Sequence, residues 1–302
     1  MTYSYWDRPP QKAWKASAAF ACKKIRKLYP LHLVMLFAGA IYLLLCHTGI
    51  SVILKRLLLT IPLVQTWIPK EYQAINTVAW YLSVSLFLYF MFPHLLSWIK
   101  SGKTGMAVVK MIAIYLAQII IGYCVFRFTE IDIKWVTYCH PIYRLGDFAI
   151  GGFLAAIYRN SFQKRAPVSK VMCSILELAA ILVNLFTCVY FAYAPEHTTW
   201  ATFTVLFIPS SILLIYAFSF DNGMISRLLK NRIVYWLADI SPYAFLIHRL
   251  VISYYHLFVV KTLHREHFNF AFVIMIPFVV TVAFVYTYRF FEKKVLRRAK
   301  SK

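Results

Sequence analysis

The chain has 302 residues, of which 61% are hydrophobic and 15% are charged, whereas soluble domains usually hold about 25% charged residues. Apolar runs recur along the whole length, which excludes an ordinary soluble globular domain. The formal net charge of +22 comes from 33 Lys and Arg against 11 Asp and Glu. These cations sit in short loops between apolar runs, as membrane orientation requires, so the charge speaks of topology and anionic lipid and not of nucleic acid.

A helix satisfies its own backbone in hydrocarbon, and a span needs about 20 mainly apolar residues. A membrane barrel would need alternating segments of about ten residues, and the runs here are continuous and roughly twice as long. The expected fold is therefore all-α, a polytopic integral membrane helical bundle with about eight transmembrane helices. The expected spans are 30–48, 77–98, 107–126, 141–158, 171–193, 200–220, 241–260 and 268–290. Residues 50–69 are apolar but broken by Lys55, Arg56, Pro62 and Pro69, and read as a re-entrant or interfacial piece. Residues 232–240 read as a short interfacial helix, with the next span beginning at Pro242. Three regions follow: a basic, amphipathic cytoplasmic segment over 1–29, a membrane domain over 30–291, and a basic cytoplasmic tail over 292–302.

With the N-terminus inside, the inner segments hold 24 Lys and Arg and the outer segments 8. That threefold bias places both termini in the cytoplasm. Trp67, Trp98, Trp135, Trp200 and Trp236 fall near the ends of apolar runs, as interface anchors do. The first 29 residues mix aromatic and basic types and do not form a signal peptide. The six cysteines show neither a CxxC pair nor a His partner at metal spacing, so neither a disulfide framework nor a metal site is expected.

Polar groups inside spans are costly, and they tend to be functional or mutually paired. Lys23, Lys24, Arg26 and Lys27 precede Leu28-Tyr29-Pro30 at the inner mouth of the first span. They suit either positive-inside anchoring or an anionic cytoplasmic donor, since Lys24, Arg26 and Lys27 would pair with phosphate. Ser83 and Ser85 follow Asn76…Trp80-Tyr81-Leu82 and precede Tyr89…Phe92-Pro93. They suit helix packing through hydrogen bonds, and no neighbouring base marks either as a nucleophile. Arg144 and Asp147 stand three residues apart on one helix face, as a structural ion pair or as part of a substrate site, with Gly151 and Gly152 allowing close helix approach. His248 lies about 9 Å into its span, counted from Pro242 at 1.5 Å per residue. It suits packing or a place in a polar cavity with Arg249 beside it.

Taken in order, these stretches resemble the acyltransferase 3 family of polytopic membrane acyltransferases. The matching places are the basic run before Leu-Tyr-Pro; Gln65–Trp67 followed by Asn76 and Trp80 to Val84; Tyr89…Phe92-Pro93; Arg144…Asp147-Phe148…Gly151; and Ile240-Ser241…Tyr243…Leu246-Ile247-His248. The ending Tyr288-Arg289-Phe290-Phe291-Glu292-Lys293 is also similar. The resemblance implies transfer of an acyl group, often acetyl, from a cytoplasmic coenzyme A donor to a hydroxyl of an extracytoplasmic glycan or related molecule. Acyl-CoA enters as a substrate, without a tightly bound cofactor, and the setting implied is the plasma membrane of a bacterium. Membrane lipid and the acceptor are the partners implied; no protein partner is named.

Three departures stand out. The resemblance implies about ten spans, the first carrying an Arg and a His that do the chemistry, and Met1 to Tyr5 read as the tail of the second. The expectation is an N-terminally incomplete or degenerate member, in which the catalytic residue is unassigned and His248 is the best-placed imidazole. The family's Arg-x-x-Arg falls on Lys24 and Lys27, replacing a bidentate donor by a point charge. The carboxylate often found after Ser-Val is Ser85. In this reading Trp80, Ser83, Tyr89, Tyr243 and His248 line the acyl path, and Arg144 with Asp147 shapes the acceptor side. The alternatives are a carrier or exporter of a glycan or lipid precursor, or an inactive scaffold, although repeated halves that mark many transporters are not evident.

Overall fold

The computed structural model describes residues 1–7, 9–10, 12–162, 168–194, 199–202, 205–262 and 270–300. Arg8, Lys164, Arg165, Arg265 and Lys302 of the charge count, residues 203–204 of the expected span 200–220 and the first two residues of the expected last span lie outside the described residues. Every regular element described is helical. The α-helices are α1 (Trp14–Ile25), α2 (Tyr29–Leu45), α3 (Ile50–Thr60), α4 (Trp80–Lys100), α5 (Thr104–Phe128), α6 (Pro141–Ile157), α7 (Lys170–Tyr193), α8 (Thr199–Thr202), α9 (Phe207–Ser219), α10 (Met224–Leu229), α11 (Arg232–His256) and α12 (Phe270–Lys300).

Four of the described helical segments are long and apolar enough to cross a bilayer: α4, α5, α7 and Met275–Glu292 of α12. The number is five if α1 and α2 form one bent span. The other expected spans coincide with shorter or more polar helices. Both α2 and α6 have 17 residues, about 26 Å at 1.5 Å per residue, against a hydrocarbon core of about 30 Å. The expected span 200–220 is not one helix, since α8 and α9 divide it. At 11 residues α3 is too short to span, as the charges and prolines of 50–69 anticipated. Only 11% of the spanning window of α5 and 22% of that of α7 is buried in protein, against 50% of that of α4.

One boundary needs correction. Residues 232–240 are not a separate interfacial helix but the first turns of α11, and Pro242 lies inside that helix. A proline in a helix withholds the amide that would bond the carbonyl four residues back, here that of Ala238. The hydroxyl of Ser241 donates to that carbonyl at 3.1 Å, so the helix continues through the proline.

The chain divides into two compact units, Met1–Lys24 with Ser83–Asn231, and Ile25–Leu82 with Arg232–Lys302. In the first unit, Leu95, Ile99, Ala107, Ala149, Phe153, Ala156 and Ile157 form a core where α4, α5 and α6 meet. The N-terminal residues are pinned to the same helices: Lys100 Nζ donates to the Trp6 carbonyl at 2.8 Å, and Arg159 pairs with Asp7 at 2.7 Å. Further along, α7 packs on α9 and α10. Glu177, fully buried within the apolar run of α7, accepts from the amides of Ile225 and Ser226 at 2.9 and 3.2 Å and from the Ser226 hydroxyl. A Cβ on Gly223 would stand 2.1 Å from this carboxyl group, so the approach requires glycine.

The second unit is built on α2, α11 and α12, with Leu31, Met35, Tyr243, Leu246, Ile247, Leu250 and Val285 at its centre. Its connecting loop over 61–79 is tied down by polar side chains. Tyr29 OH donates to the Ile61 carbonyl at 2.9 Å, His32 Nε2 to the Thr60 carbonyl at 3.1 Å, and Asn76 Nδ2 to the Leu246 carbonyl at 2.9 Å. Glu71 pairs with Lys55 at 2.8 Å and Arg56 at 3.3 Å. Burial alone would raise its carboxyl group, but Lys55 and Arg56 outweigh that and hold it below the ordinary carboxylate range.

Replacing Glu177 by Ala leaves two amides and a hydroxyl of α10 without their acceptor. The expected cost is about 1–3 kcal/mol, with Gln at 177 costing less because it keeps a carbonyl. Thermal unfolding of the full chain in detergent reads this directly, and an unchanged melting temperature in Glu177→Ala would contradict the assignment.

Candidate functional site

The expected site residues fall in both units. In the first, Lys24 at the end of α1 and Tyr89 of α4 line one open pocket of about 620 Å³, together with Met1, Ser4 and Tyr5. The ammonium of Lys24 lies 4.8 Å from the centre of the Tyr5 ring and 5.5 Å from that of Phe20. An aromatic cluster continues behind it: Phe20 stacks on Phe92 at 5.8 Å, Tyr5 meets Phe92 edge-on at 5.8 Å, and Phe92 meets Phe148 at 6.0 Å. Tyr89 and Phe92 share a face because they are three residues apart on α4. Lys24 has no carboxylate partner among the described residues, so cation–π contact is what holds its charge beside the pocket.

Arg144 and Asp147 form the expected ion pair on α6, at 2.5 Å. The structure adds a third member. Gln118 of α5 donates from Nε2 to Asp147 Oδ1 at 2.8 Å and to the Tyr143 carbonyl at 3.1 Å, while Tyr143 OH donates back to the Gln118 carbonyl at 2.9 Å. Gly146 makes room, since a Cβ there would meet the Gln118 amide at 2.8 Å. The group therefore couples α5 to α6, with the Arg144 side chain partly exposed. Ser83 and Ser85 are both buried.

Ser17 Oγ and His94 Nε2 stand 3.3 Å apart, a pair that sequence reading did not find across a separation of 77 positions. The distance suits a hydroxyl and its base, but Ser17 is fully buried and Trp14 stacks on the imidazole at 4.4 Å. This pair ties α1 to α4 and does not face the pocket, because His94 lies on a different face of α4 from Tyr89 and Phe92.

In the second unit Arg26 is exposed, without an ion pair among the described residues. Lys27 lies 3.5 Å from Asp239 and 5.4 Å from the centre of the Tyr243 ring. Arg289 pairs with the same Asp239 at 2.5 Å and lies 5.5 Å from the same ring, and Tyr243 OH donates to Glu292 at 3.3 Å. The hydrogen bond from Arg289 leads in holding Asp239 below its ordinary value of 3.8; burial opposes it, and the charges of Arg289 and Lys27 add to it. Lys27 is thus partly neutralised by Asp239, as Lys24 is not by any carboxylate.

A second run of rings connects two expected residues. Trp80 meets Tyr81 at 6.4 Å, Tyr81 meets Phe245 at 5.7 Å, and Phe245 meets His248 at 5.7 Å. Nδ1 of His248 is 2.8 Å from the Phe245 carbonyl and 3.2 Å from that of Ala244. A carbonyl only accepts, so Nδ1 is the donor in these contacts. Among the described residues no group of three or more His, Cys, Asp or Glu side chains gathers to hold a metal, and all six cysteines are free thiols.

Several apolar helices that cross the bilayer and a buried polar frame define a multi-pass membrane protein. A family model described as an acyltransferase domain, Acyl_transf_3, matches residues 2–288 and makes it a membrane acyltransferase. The chain belongs to the acyltransferase 3 family. No curated protein and no solved structure gives a match.

The Asp239 pairings imply a pH dependence of fixed sign. A carboxylate whose folded value is lowered contributes stability that is fully present above 3.8 and is lost as pH falls through the lowered value. The full chain is therefore expected to melt above its Asp239→Asn variant at neutral pH, with the gap closing as pH falls below 3.8 and through the lowered value. A gap that ignores pH would contradict the ion pairs.

Proposed function

We propose that this acyltransferase moves an acetyl or similarly short acyl group from a cytoplasmic coenzyme A thioester to a hydroxyl of an extracytoplasmic glycan or related acceptor. The observation that carries the reading is the pocket of about 620 Å³ beside Lys24 and Tyr89. Its cation is not neutralised by a carboxylate among the described residues, and it is backed by aromatic rings. Phosphate groups are recognised well by such a cation, and the rings give the pantetheine arm an apolar wall. Both termini lie in the cytoplasm in this reading, on the strength of the Lys and Arg bias, and the membrane is the plasma membrane of a bacterium. Residues 1–29 form the basic inner segment, 30–291 the membrane domain and 292–302 the basic tail.

Acyl transfer joins the acceptor oxygen to the thioester carbon, through a tetrahedral intermediate. The carbon–sulfur bond then breaks, and the hydroxyl proton ends on the coenzyme A thiolate. The step needs a base for the hydroxyl proton and donors for the oxyanion. His248, with Nδ1–H bound to its own helix, assists in this reading, with Trp80 and Tyr243 beside the acyl path. Arg144, held by Asp147 and Gln118, serves the acceptor side. Arg26 and Lys27 add to the donor attraction, with Lys27 weakened by its share in Asp239.

Binding of labelled acetyl-CoA to the full chain in nanodiscs tests the donor site. Lys24→Gln is expected to weaken binding about tenfold or more, the range of a hydrogen bond to a charged group. Lys27→Gln should weaken it less, and His248→Gln should lower turnover without changing donor affinity. Unchanged affinity in Lys24→Gln would overturn the donor assignment. Accumulation of acceptor in vesicles without covalent change would favour a carrier.

A further inference from the structure

A second groove, of about 690 Å³, lies between the beginning of α7 and α10. Its chemistry is divided. Two cations line it, Lys170, the first residue of α7, and Arg227 of α10. Val171, Ile175 and Leu178 form one stripe at i, i+4 and i+7 on α7, faced by Leu228. These four apolar side chains are 70%, 55%, 54% and 63% exposed, so protein does not cover them. The stripe is about 10 Å long at 1.5 Å per residue.

Neither cation meets a carboxylate among the described residues. Arg227 donates only to the carbonyls of Gly223 and Asn222, at 3.4 and 3.3 Å. The nearby acids are engaged elsewhere: Glu177 holds the amides of α10, and Asp221 pairs with Lys230 at 2.6 Å. The sequence from 159 to 170 contains neither Asp nor Glu. A free inorganic anion would satisfy the cations and leave the stripe bare, and an uncharged lipid would do the reverse. An amphiphile with an anionic head satisfies both.

We infer that this groove binds one anionic phospholipid, its phosphate between Lys170 and Arg227 and an acyl chain along Val171, Ile175 and Leu178. At about 10 Å the stripe outruns a two-carbon acyl group and covers the upper part of a phospholipid acyl chain. Basic pockets between membrane helices on the cytoplasmic side suit such head groups, and the charge bias places this end of α7 inside. The inference stands on the groove itself and does not depend on the donor site or on acyl transfer.

Native mass spectrometry of the delipidated full chain, titrated with dioleoyl phosphatidylglycerol or dioleoyl phosphatidylcholine, tests it. Preferential retention of phosphatidylglycerol is expected. In Lys170→Gln/Arg227→Gln its affinity should fall at least about tenfold while phosphatidylcholine binding stays unchanged. Lys230→Gln, which removes a neighbouring cation already paired with Asp221, should bind as the unaltered chain does. Val171→Asp keeps both cations and adds a repelling carboxylate at an exposed position. It should also lose the preference, and it decides the matter if the double variant does not fold. Undiminished phosphatidylglycerol binding in the double variant and Val171→Asp overturns the inference. So does an equal loss in Lys230→Gln, or displacement of the lipid by acetyl-CoA, which would make the groove a donor site.

Discussion

In hydrocarbon a polar group finds a partner within the protein or goes without, and this constraint governs the whole chain. It dictates helices first, since only they pair their own backbones in one segment. It then decides which side chains fasten one helix to the next. Glu177 serves the open amides of α10, Gln118 bridges Asp147 and Tyr143, and Asn76 reaches a carbonyl of α11. Ser241 repairs the carbonyl that Pro242 leaves open. Lipid tails are as apolar as leucine, so association of spans leans on close packing and on such bonds. Gly146 and Gly223 are where a missing Cβ lets the bonding side chain arrive.

Against 33 basic residues stand 11 acidic ones, and six of the described acids fasten parts of the chain together. Asp147, Asp239, Glu71, Asp7 and Asp221 each take one or two cations, and Glu177 takes amides. Most cations consequently have no acid to meet. Those at loop ends face water or lipid head groups, where a charge is tolerated without a partner. Lys24, Lys170 and Arg227 differ because each stands at a cavity with an apolar or aromatic wall. The same scarcity of carboxylates that goes with the charge bias between loops leaves these three without an acid among the described residues.

Much of this was legible in the sequence, and the reasons differ by residue. The Arg144 and Asp147 pair follows from a spacing of three on a helix, a local rule that lipid does not alter. The failure of 50–69 to form a span follows from two charges and two prolines. The continuity of α11 did not, because whether a proline ends a helix depends on whether another group takes up the freed carbonyl. Sequence reading overlooked Glu177, although a lone carboxylate within an apolar run of more than 20 residues is a visible signal. The Ser17 and His94 contact carries no such signal, since no local pattern connects positions so far apart.

The sequence by itself determined the solvent, the helical class, the membership of a family through ordered short motifs, and the charge bias between loops. All of these are sums or local periods, which the chain carries without folding. Tertiary structure alone decided that Lys24 faces an open pocket while Lys27 shares Asp239, that Nδ1 of His248 bonds its own helix, and that Lys170 and Arg227 line one groove. Those outcomes depend on which helix faces approach each other, and that is settled by packing between residues scores of positions apart.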